Sequence, residues 1–447
     1  MVLRQSRRRF LQSAAAAGGA LLLPRLARPL HASEPAAADL VGMRDKIDHI
    51  VVIFQENRSF DHYFGAYRPP GGAAVANLLD KDGNVAARFT GLQKNAAGAP
   101  YDHLPLPYDM PGFADASLEN RPFHLAPYIP AGANVLWDPQ HHFFRMWAQM
   151  DDGAMDRFVA LALAGKHKLL ESGVLRDPAD QMFAQSTPSG AVIGFYDRSD
   201  LPFYHHLADE YVLLDHFFQA MSGGSTGNAL YLVAARSAVR QNPPAKDIGS
   251  LAPPIFDKHY DKAGIMINDM APVNGPTEVY MGPLDLSPPP DEQTYPNIGD
   301  RLNAAGLDWA WYNEGWNAVK PWAMKTAFGP GDGSIVVDSS WMYQSHHNPF
   351  QYYPSWFGNV KGGHIRDAQD FFEDLKSGRL PRVSFIKASG AHDEHPAKSA
   401  PRWGEAWVKR LLEALGASRH WGRSAAIVTY DEGGGLWDHV APPHPDG

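Results

Sequence analysis

Ile47-Asp48-His49-Ile50-Val51-Val52-Ile53-Phe54-Gln55-Glu56-Asn57-Arg58-Ser59 is the stretch that decides the fold. Ile50 to Phe54 form an unbroken β-branched and aromatic run, the pattern of a strand buried on both faces. Such strands belong to sheets covered by helices on each side. The run ends abruptly in amide and charged side chains, which places Glu56 and Asn57 at the C-terminal edge of a sheet, where α/β proteins build their sites. The arrangement returns near the end of the chain, where Ala425-Ala426-Ile427-Val428-Thr429-Tyr430 runs straight into Asp431-Glu432-Gly433-Gly434-Gly435. Two strands thus deliver the carboxylates of Glu56, Asp431 and Glu432.

Between these ends, Tyr211-Val212-Leu213-Leu214-Asp215 and Val383-Ser384-Phe385-Ile386-Lys387 read as further short strands. Residues 228–239 and 403–415 read as helices. The alternation predicts a layered α/β fold. Pro/Gly-rich stretches at 91–133, 242–254 and 282–296 have site candidates on both sides, so they read as long insertions within one domain from residue 45 to 447.

The chain of 447 residues carries a formal charge of −9 and a pI near 6.1, which leaves no basic footprint for nucleic acid. With 44% hydrophobic and 11% aromatic residues it can bury a sizeable core. Cysteine is absent, which excludes disulfides, thiolate ligands and cysteine catalysis. Any metal must be held by oxygen and imidazole. At the N-terminus Arg7, Arg8 and Arg9 precede an Ala-rich apolar stretch from Leu11 to Leu23, with a cleavage site at Leu30-His31-Ala32. The reading is a signal peptide over 1–32. Its opening, Ser6-Arg7-Arg8-Arg9-Phe10-Leu11, resembles the twin-arginine motif, so the expected partner is the twin-arginine export machinery and the expected location periplasmic or secreted. The apolar run is too short and glycine-interrupted for a stable membrane span.

Met221-Ser222-Gly223-Gly224-Ser225-Thr226-Gly227-Asn228 is a glycine-rich turn that opens a helical stretch. Free N–H groups and the helix dipole favour an anion there, so the turn can cradle a phosphoryl group beside the Ser225 hydroxyl. Ser and Thr are equally at home as helix caps, and the turn alone does not decide. Glu56-Asn57 and Asp431-Glu432 form acidic or amide pairs whose repulsion a hard divalent cation would relieve. An N-cap role for Asn57 and solvated loop acids at 431 and 432 remain open on residue type alone. Histidine is plentiful, with 20 copies, several of them clustered at His141-His142, His346-His347, His392 with His395, and His439. Imidazole can bind metal, contact phosphate or protonate a leaving oxygen. Nothing singles out His420 or His444.

Taken together and in order, these segments resemble a bacterial phosphoesterase family containing phospholipases C and certain acid phosphatases, within the alkaline phosphatase superfamily. Residues 47–65, from Ile47 to Gly65, look like the family's opening signature, and Tyr430-Asp431-Glu432-Gly433-Gly434-Gly435-Leu436-Trp437-Asp438-His439-Val440 looks like its closing one. Intermediate blocks agree at 153–158, at His346-His347-Asn348-Pro349-Phe350 and at Glu394-His395-Pro396. The resemblance implies a three-layer α/β/α sandwich with a central, mostly parallel sheet and long loop insertions. It implies metal ligation by Glu56, Asn57, Asp431, Glu432 and Ser225, with Ser225 also the nucleophile. Asn228 and His141 match positions that line the phosphate pocket, and His346, His347 and His395 match catalytic positions. The implied cofactor is a divalent ion, with Ca²⁺, Mg²⁺, Mn²⁺, Zn²⁺ and iron all compatible with such ligands.

Two departures stand out. Many phospholipases C carry a threonine followed by His-Pro-Asn-Arg at the nucleophile turn, whereas Ser225 is followed by Thr226-Gly227-Asn228-Ala229. Serine favours the phosphatase branch, and the absent arginine at 229 sets substrate recognition apart. Family members also continue well past the Asp-His-Val block, which leads to the expectation of a C-terminally truncated catalytic domain. The resemblance therefore implies an exported, metal-dependent phosphoric ester hydrolase of the acid phosphatase type, acting on a phosphomonoester. The alternatives are a phospholipase C cleaving phospholipid head groups and an inactive relative that binds phosphoesters. A sulfatase would need a modified cysteine or serine in its own motif, which the sequence around Ser225 does not provide.

Overall fold

The opening apolar run becomes strand β1, His49–Gln55, whose last five residues are buried. The computed structural model describes residues 42–106, 113, 116–133, 138–162, 189–251, 258–278, 289–324, 336–337 and 343–443. The leader over 1–32 and its arginines lie outside the described residues. Two short parallel pairs, Phe123–His124 (β2) with Gly194–Phe195 (β3) and Thr277–Glu278 (β4) with Val336–Val337 (β6), stand apart from the main sheet. The main sheet has five strands and adds Trp309–Asn313 (β5), Ile365–Asp367 (β7), Val383–Lys387 (β8) and Ser424–Tyr430 (β9). Its order is β7-β5-β8-β1-β9, and every neighbouring pair is parallel.

Alternate residues along these strands feed two different cores, as the two-residue period of a strand requires. Val51, Ile53, Tyr312 and Ile386 pack with Phe371 and Leu375 of helix Ala368–Ser377 and with Val408, Leu411 and Leu415 of helix Pro401–Ala417. Val52, Trp309, Trp311 and Phe385 face the other way, against Val233 of helix Ser225–Ala234 and Leu302 of helix Ile298–Ala304. Helices therefore cover both faces, and the α/β sandwich expected from the opening strand is the observed architecture. Trp309 and Trp311 are fully buried. Truncating either to alanine would cost about 3–5 kcal/mol.

Three expectations need correcting. The strand expected at 211–215 is irregular, because among the described residues no neighbouring strand pairs with it. Its side chains stand in solvent, with Leu214 60% exposed. The helix expected over 228–239 spans Ser225–Ala234, with Gly224 as its N-cap and Ala235 ending it in a left-handed turn at φ 53°. Asn57 is not a helix cap; Ser59 caps helix Phe60–Phe64 by accepting from the His62 N–H. Strands β5 and β7 and helices Phe143–Met150, Pro202–Glu210 and Ala368–Ser377 were not foreseen.

Candidate active site

Because Gln55 is the register partner of Tyr430, the residues just beyond β1 and β9 emerge side by side at the C-terminal edge of the sheet. Asn57 adopts a left-handed φ of 52° and its N–H donates to Asp431 Oδ1 at 2.9 Å, tying the two ends together. The Glu432 N–H donates to the same oxygen at 2.7 Å. Gly434 makes this closure possible: it sits at φ 64°, and a Cβ there would meet the Asn57 carbonyl at 2.6 Å.

Ser225 enters from the opposite side as the first residue of its helix, and its Oγ donates to Glu56 Oε2 at 3.0 Å. Asn57 Oδ1 lies 3.3 Å from the same hydroxyl. The nucleophile candidate and the acids, remote in sequence, are therefore in direct contact. Gly224 must be glycine, since a Cβ would lie 2.4 Å from Asp269 Oδ1. That carboxylate accepts the N–H of Thr226, the second residue of the helix, at 2.9 Å, so one of the free donors at its start is already used. Asn228 points back into its own turn, accepting from the Met221 N–H at 3.1 Å and donating to the Met221 carbonyl. Its contacts hold the shape of the turn.

Four of the expected histidine positions gather around this nest. His141 Nε2 lies 3.5 Å from Asn57 Nδ2 and 3.7 Å from Glu432 Oε1. His395 sits beside it, with ring centroids 5.6 Å apart. His346 and His347 are adjacent, with centroids 3.8 Å apart, and His347 Nδ1 is 3.1 Å from Glu56 Oε1. His392 and His439 are engaged elsewhere, with Glu314 and Asp61 respectively. In front of the nest opens a cleft of about 210 Å³ lined by Asp138, His141, His142, Asp269, His346, His395 and Lys398, among others. Ser225 and the acids at 56, 431 and 432 lie behind this lining.

The sequence profile of the Phosphoesterase family matches residues 47–447. The chain belongs to that family. It is 28% identical over 458 residues to a hemolytic phospholipase C of Pseudomonas aeruginosa, a match that covers 98% of this chain and 50% of that protein. It is 27% identical over 457 residues to a non-hemolytic phospholipase C of Burkholderia pseudomallei, covering 98% and 51%. Against phospholipase C B of Mycobacterium tuberculosis the identity is 26% over 446 residues, covering 98% and 68%. The chain thus spans about half the length of the first two of these relatives.

In this member of the family, burial and crowding raise the carboxyls of the nest. Burial, then the neighbouring Asp431 charge, push Glu56 up to about 8 against the pull of Lys387. Burial also raises Asp431 and, together with the Asp431 charge, raises Glu432 far above the usual carboxylate range. Asp431 Oδ2 and Glu432 Oε1 are buried without a hydrogen-bond partner. Unsatisfied oxygens on crowded acids, with a neutral amide oxygen and a hydroxyl beside them, make the donor set of a hard divalent ion. Glu56, Asn57, Asp431, Glu432 and Ser225 fit such an ion. Among the described residues, acid and imidazole ligand atoms come within 4.8 Å of one another in Glu56 with His347 and Asp393, and in Asp138 with His141 and His395 at the cleft, but not in Glu56, Asp431 and Glu432 taken together.

Sequence reasoning missed Asp269, Asp393, Lys387 and Lys398. Lys387 had a readable signal, since it ends the apolar run of β8 as Glu56 follows that of β1. Asp393 lies between His392 and Glu394, and its Oδ1 accepts the His395 N–H at 2.9 Å. Beneath it, the Glu394 carboxyl is gripped by the hydroxyls of Tyr63 (2.6 Å), Tyr430 (3.0 Å) and Tyr204. Asp269 lies in an irregular loop and nothing in its neighbours announces it.

Proposed function

We propose that this chain is a metal-dependent phosphoric ester hydrolase that forms a phosphoserine at Ser225. The observation that carries the reading is the Ser225 hydroxyl donating to Glu56 at the head of a helix, beside buried carboxylates with unmet oxygens. Family membership and relatives named phospholipase C support the same reaction class.

A divalent ion held by Glu56, Asn57, Asp431, Glu432 and Ser225 would supply positive charge to the phosphoryl oxygens and favour the serine alkoxide. Glu56 Oε2 lies 3.0 Å from the Ser225 hydroxyl and would receive its proton as Oγ bonds to phosphorus; the ester P–O bond breaks and the leaving alkoxide takes a proton from water in the cleft, departing as the alcohol. Helix Ser225–Ala234 directs its positive end at the developing charge. His395 donates its Nδ1 hydrogen to the Pro396 carbonyl, which leaves the Nε2 lone pair for the cleft. Burial, then the Lys398 charge, hold this imidazole well below its usual value, so it is neutral. It then suits the second step, taking a proton from the water that cleaves the phosphoserine. His141 and His346 line the same cleft and are placed to contact the phosphoryl group.

The small, polar cleft admits a phosphoryl group, and serine at 225 favours phosphomonoesters. The names of the relatives favour a second substrate reading, a phospholipid head group. The arginine-rich leader supports export by the twin-arginine route. No helix among the described residues is long and apolar enough to cross a membrane. A substrate panel on wild type and Ser225→Ala tests the reading. Phosphate release from p-nitrophenyl phosphate, lost by about 10³-fold or more in the variant, is the expected outcome. Diacylglycerol release from phosphatidylcholine instead would favour the phospholipase reading. Equal background turnover in both proteins would overturn catalysis by Ser225.

A further inference from the structure

Lys387 is the last residue of β8, a central strand, and its side chain has no exposure at all. Its Nζ lies against Glu56 Oε1, the oxygen that also faces His347. Its charge acts on Glu56, Asp431 and His347 together. A fully buried ammonium is costly unless paired, and this one is paired with a residue that the proposed metal also needs. The buried ring of His347 has Nδ1 3.1 Å from Glu56 Oε1 and Nε2 without a hydrogen-bond partner, and Asp393 completes that grouping. The ammonium therefore sits against the Glu56 member of the grouping that Glu56, His347 and Asp393 form.

We infer that Lys387 is the permanent cation of the site, occupying the position of a second metal ion so that the centre works with one. The inference rests on the metal-dependent reading given above. Charge makes the case: Glu56, Asp431 and Glu432 contribute three negative charges when ionised, and one divalent ion with one ammonium balances them. A second divalent ion beside Lys387 would leave the buried nest with excess positive charge. Asp393 has its own counterpart, since Gln344 donates to Asp393 Oδ2 at 2.9 Å and accepts from Lys398 Nζ at 2.6 Å. In the metal-free chain Lys387 contacts Glu56; with the ion bound and Glu56 ionised, the ammonium remains beside it as the third positive charge.

The consequence has a sign. Lys387 both repels the ion and competes for Glu56, so removing it strengthens metal binding while weakening the metal-free fold. Metal-stripped wild type, Lys387→Met and Lys387→Arg are titrated with Ca²⁺, Mn²⁺ and Zn²⁺ by calorimetry at alkaline pH, where protons compete least for the carboxylates. Ions per chain are counted by plasma mass spectrometry, and melting points are recorded in chelator. The expected result is one ion per wild-type chain, affinity on the order of tenfold tighter or more in Lys387→Met with a lower metal-free melting point, and near wild-type behaviour in Lys387→Arg. Two ions per wild-type chain, or an affinity unchanged or weaker in Lys387→Met, overturns the assignment while leaving the metal reading intact. A wild type that binds no divalent ion sinks both. Should Lys387→Met fail to fold, the double variant Glu56→Gln with Lys387→Met removes both charges. Recovery of folding then supports the pairing, and continued failure overturns it in favour of a packing role.

Discussion

Stripping the metal should add a loss of stability with rising pH that the metal-loaded chain does not show. Burial and the Asp431 charge move Glu56 from 4.5 to about 8, so between those values the folded chain keeps a proton that the unfolded chain has released. Stability rises with pH only where the unfolded state binds more protons, so here it falls. The full shift, at about 1.4 kcal/mol per pH unit, amounts to on the order of 5 kcal/mol. Glu394, raised by burial from 4.5 to about 7, acts in the same direction. A bound divalent ion displaces the Glu56 proton and abolishes that residue's share, while Glu394, which is no ligand candidate, keeps its own in both states. Urea unfolding from pH 5 to 8, with chelator and with saturating Mn²⁺, separates the two. Buried His62 and His395, held neutral by burial, pull the other way below about pH 6.5 in both states, so the test is the difference: the chelated protein should lose several kcal/mol more than the loaded protein across this interval. Two superimposable curves would refute the reasoning.

Two further outcomes follow from the site. Asp269→Asn removes a negative charge from the cleft while leaving an oxygen to accept the Thr226 N–H, so inorganic phosphate should inhibit about three- to tenfold more tightly. An unchanged inhibition constant would show that Asp269 does not face the bound anion. Gly434→Ala forces a Cβ to within 2.6 Å of the Asn57 carbonyl at a φ of 64°, which should cost about 1–3 kcal/mol in urea unfolding. Calorimetric metal affinity should fall with it, because Asn57 must move.

The strands that carry chemistry were legible because burial on both faces leaves a run of β-branched residues that stops where the polar site begins. That signal located β1 and β8; β9, at the edge of the described sheet with Ile427 46% exposed, was legible from its apolar run alone. It failed for β5, whose Trp-Ala-Trp-Tyr-Asn composition is aromatic instead of β-branched, and for β7, which is only Ile365–Asp367. It misled at 211–215, where an apolar run has no partner strand and stays exposed. Ser225, Glu56, Asn57, Asp431, Glu432 and the histidines came from the resemblance together with their place at strand or helix ends. The charges that complete the site did not, because Asp269 and Lys398 act only through a neighbourhood that folding creates.

The geometry also changes how the nucleophile turn works. The second N–H of helix Ser225–Ala234, that of Thr226, is taken by Asp269, so one donor of the glycine-rich helix start is closed to a phosphoryl group. On the reading proposed above, an ion held by the buried acids and the imidazoles of the cleft would add to what favours an anion at Ser225. That demands acids fixed in place before any cation arrives. The pairing of β1 with β9, the Asn57 N–H on Asp431 and the Lys387 contact with Glu56 meet the demand. The same fixity explains the raised carboxyls: groups that cannot move apart must hold protons until a metal relieves them, so charge stored in the nest becomes affinity for the ion.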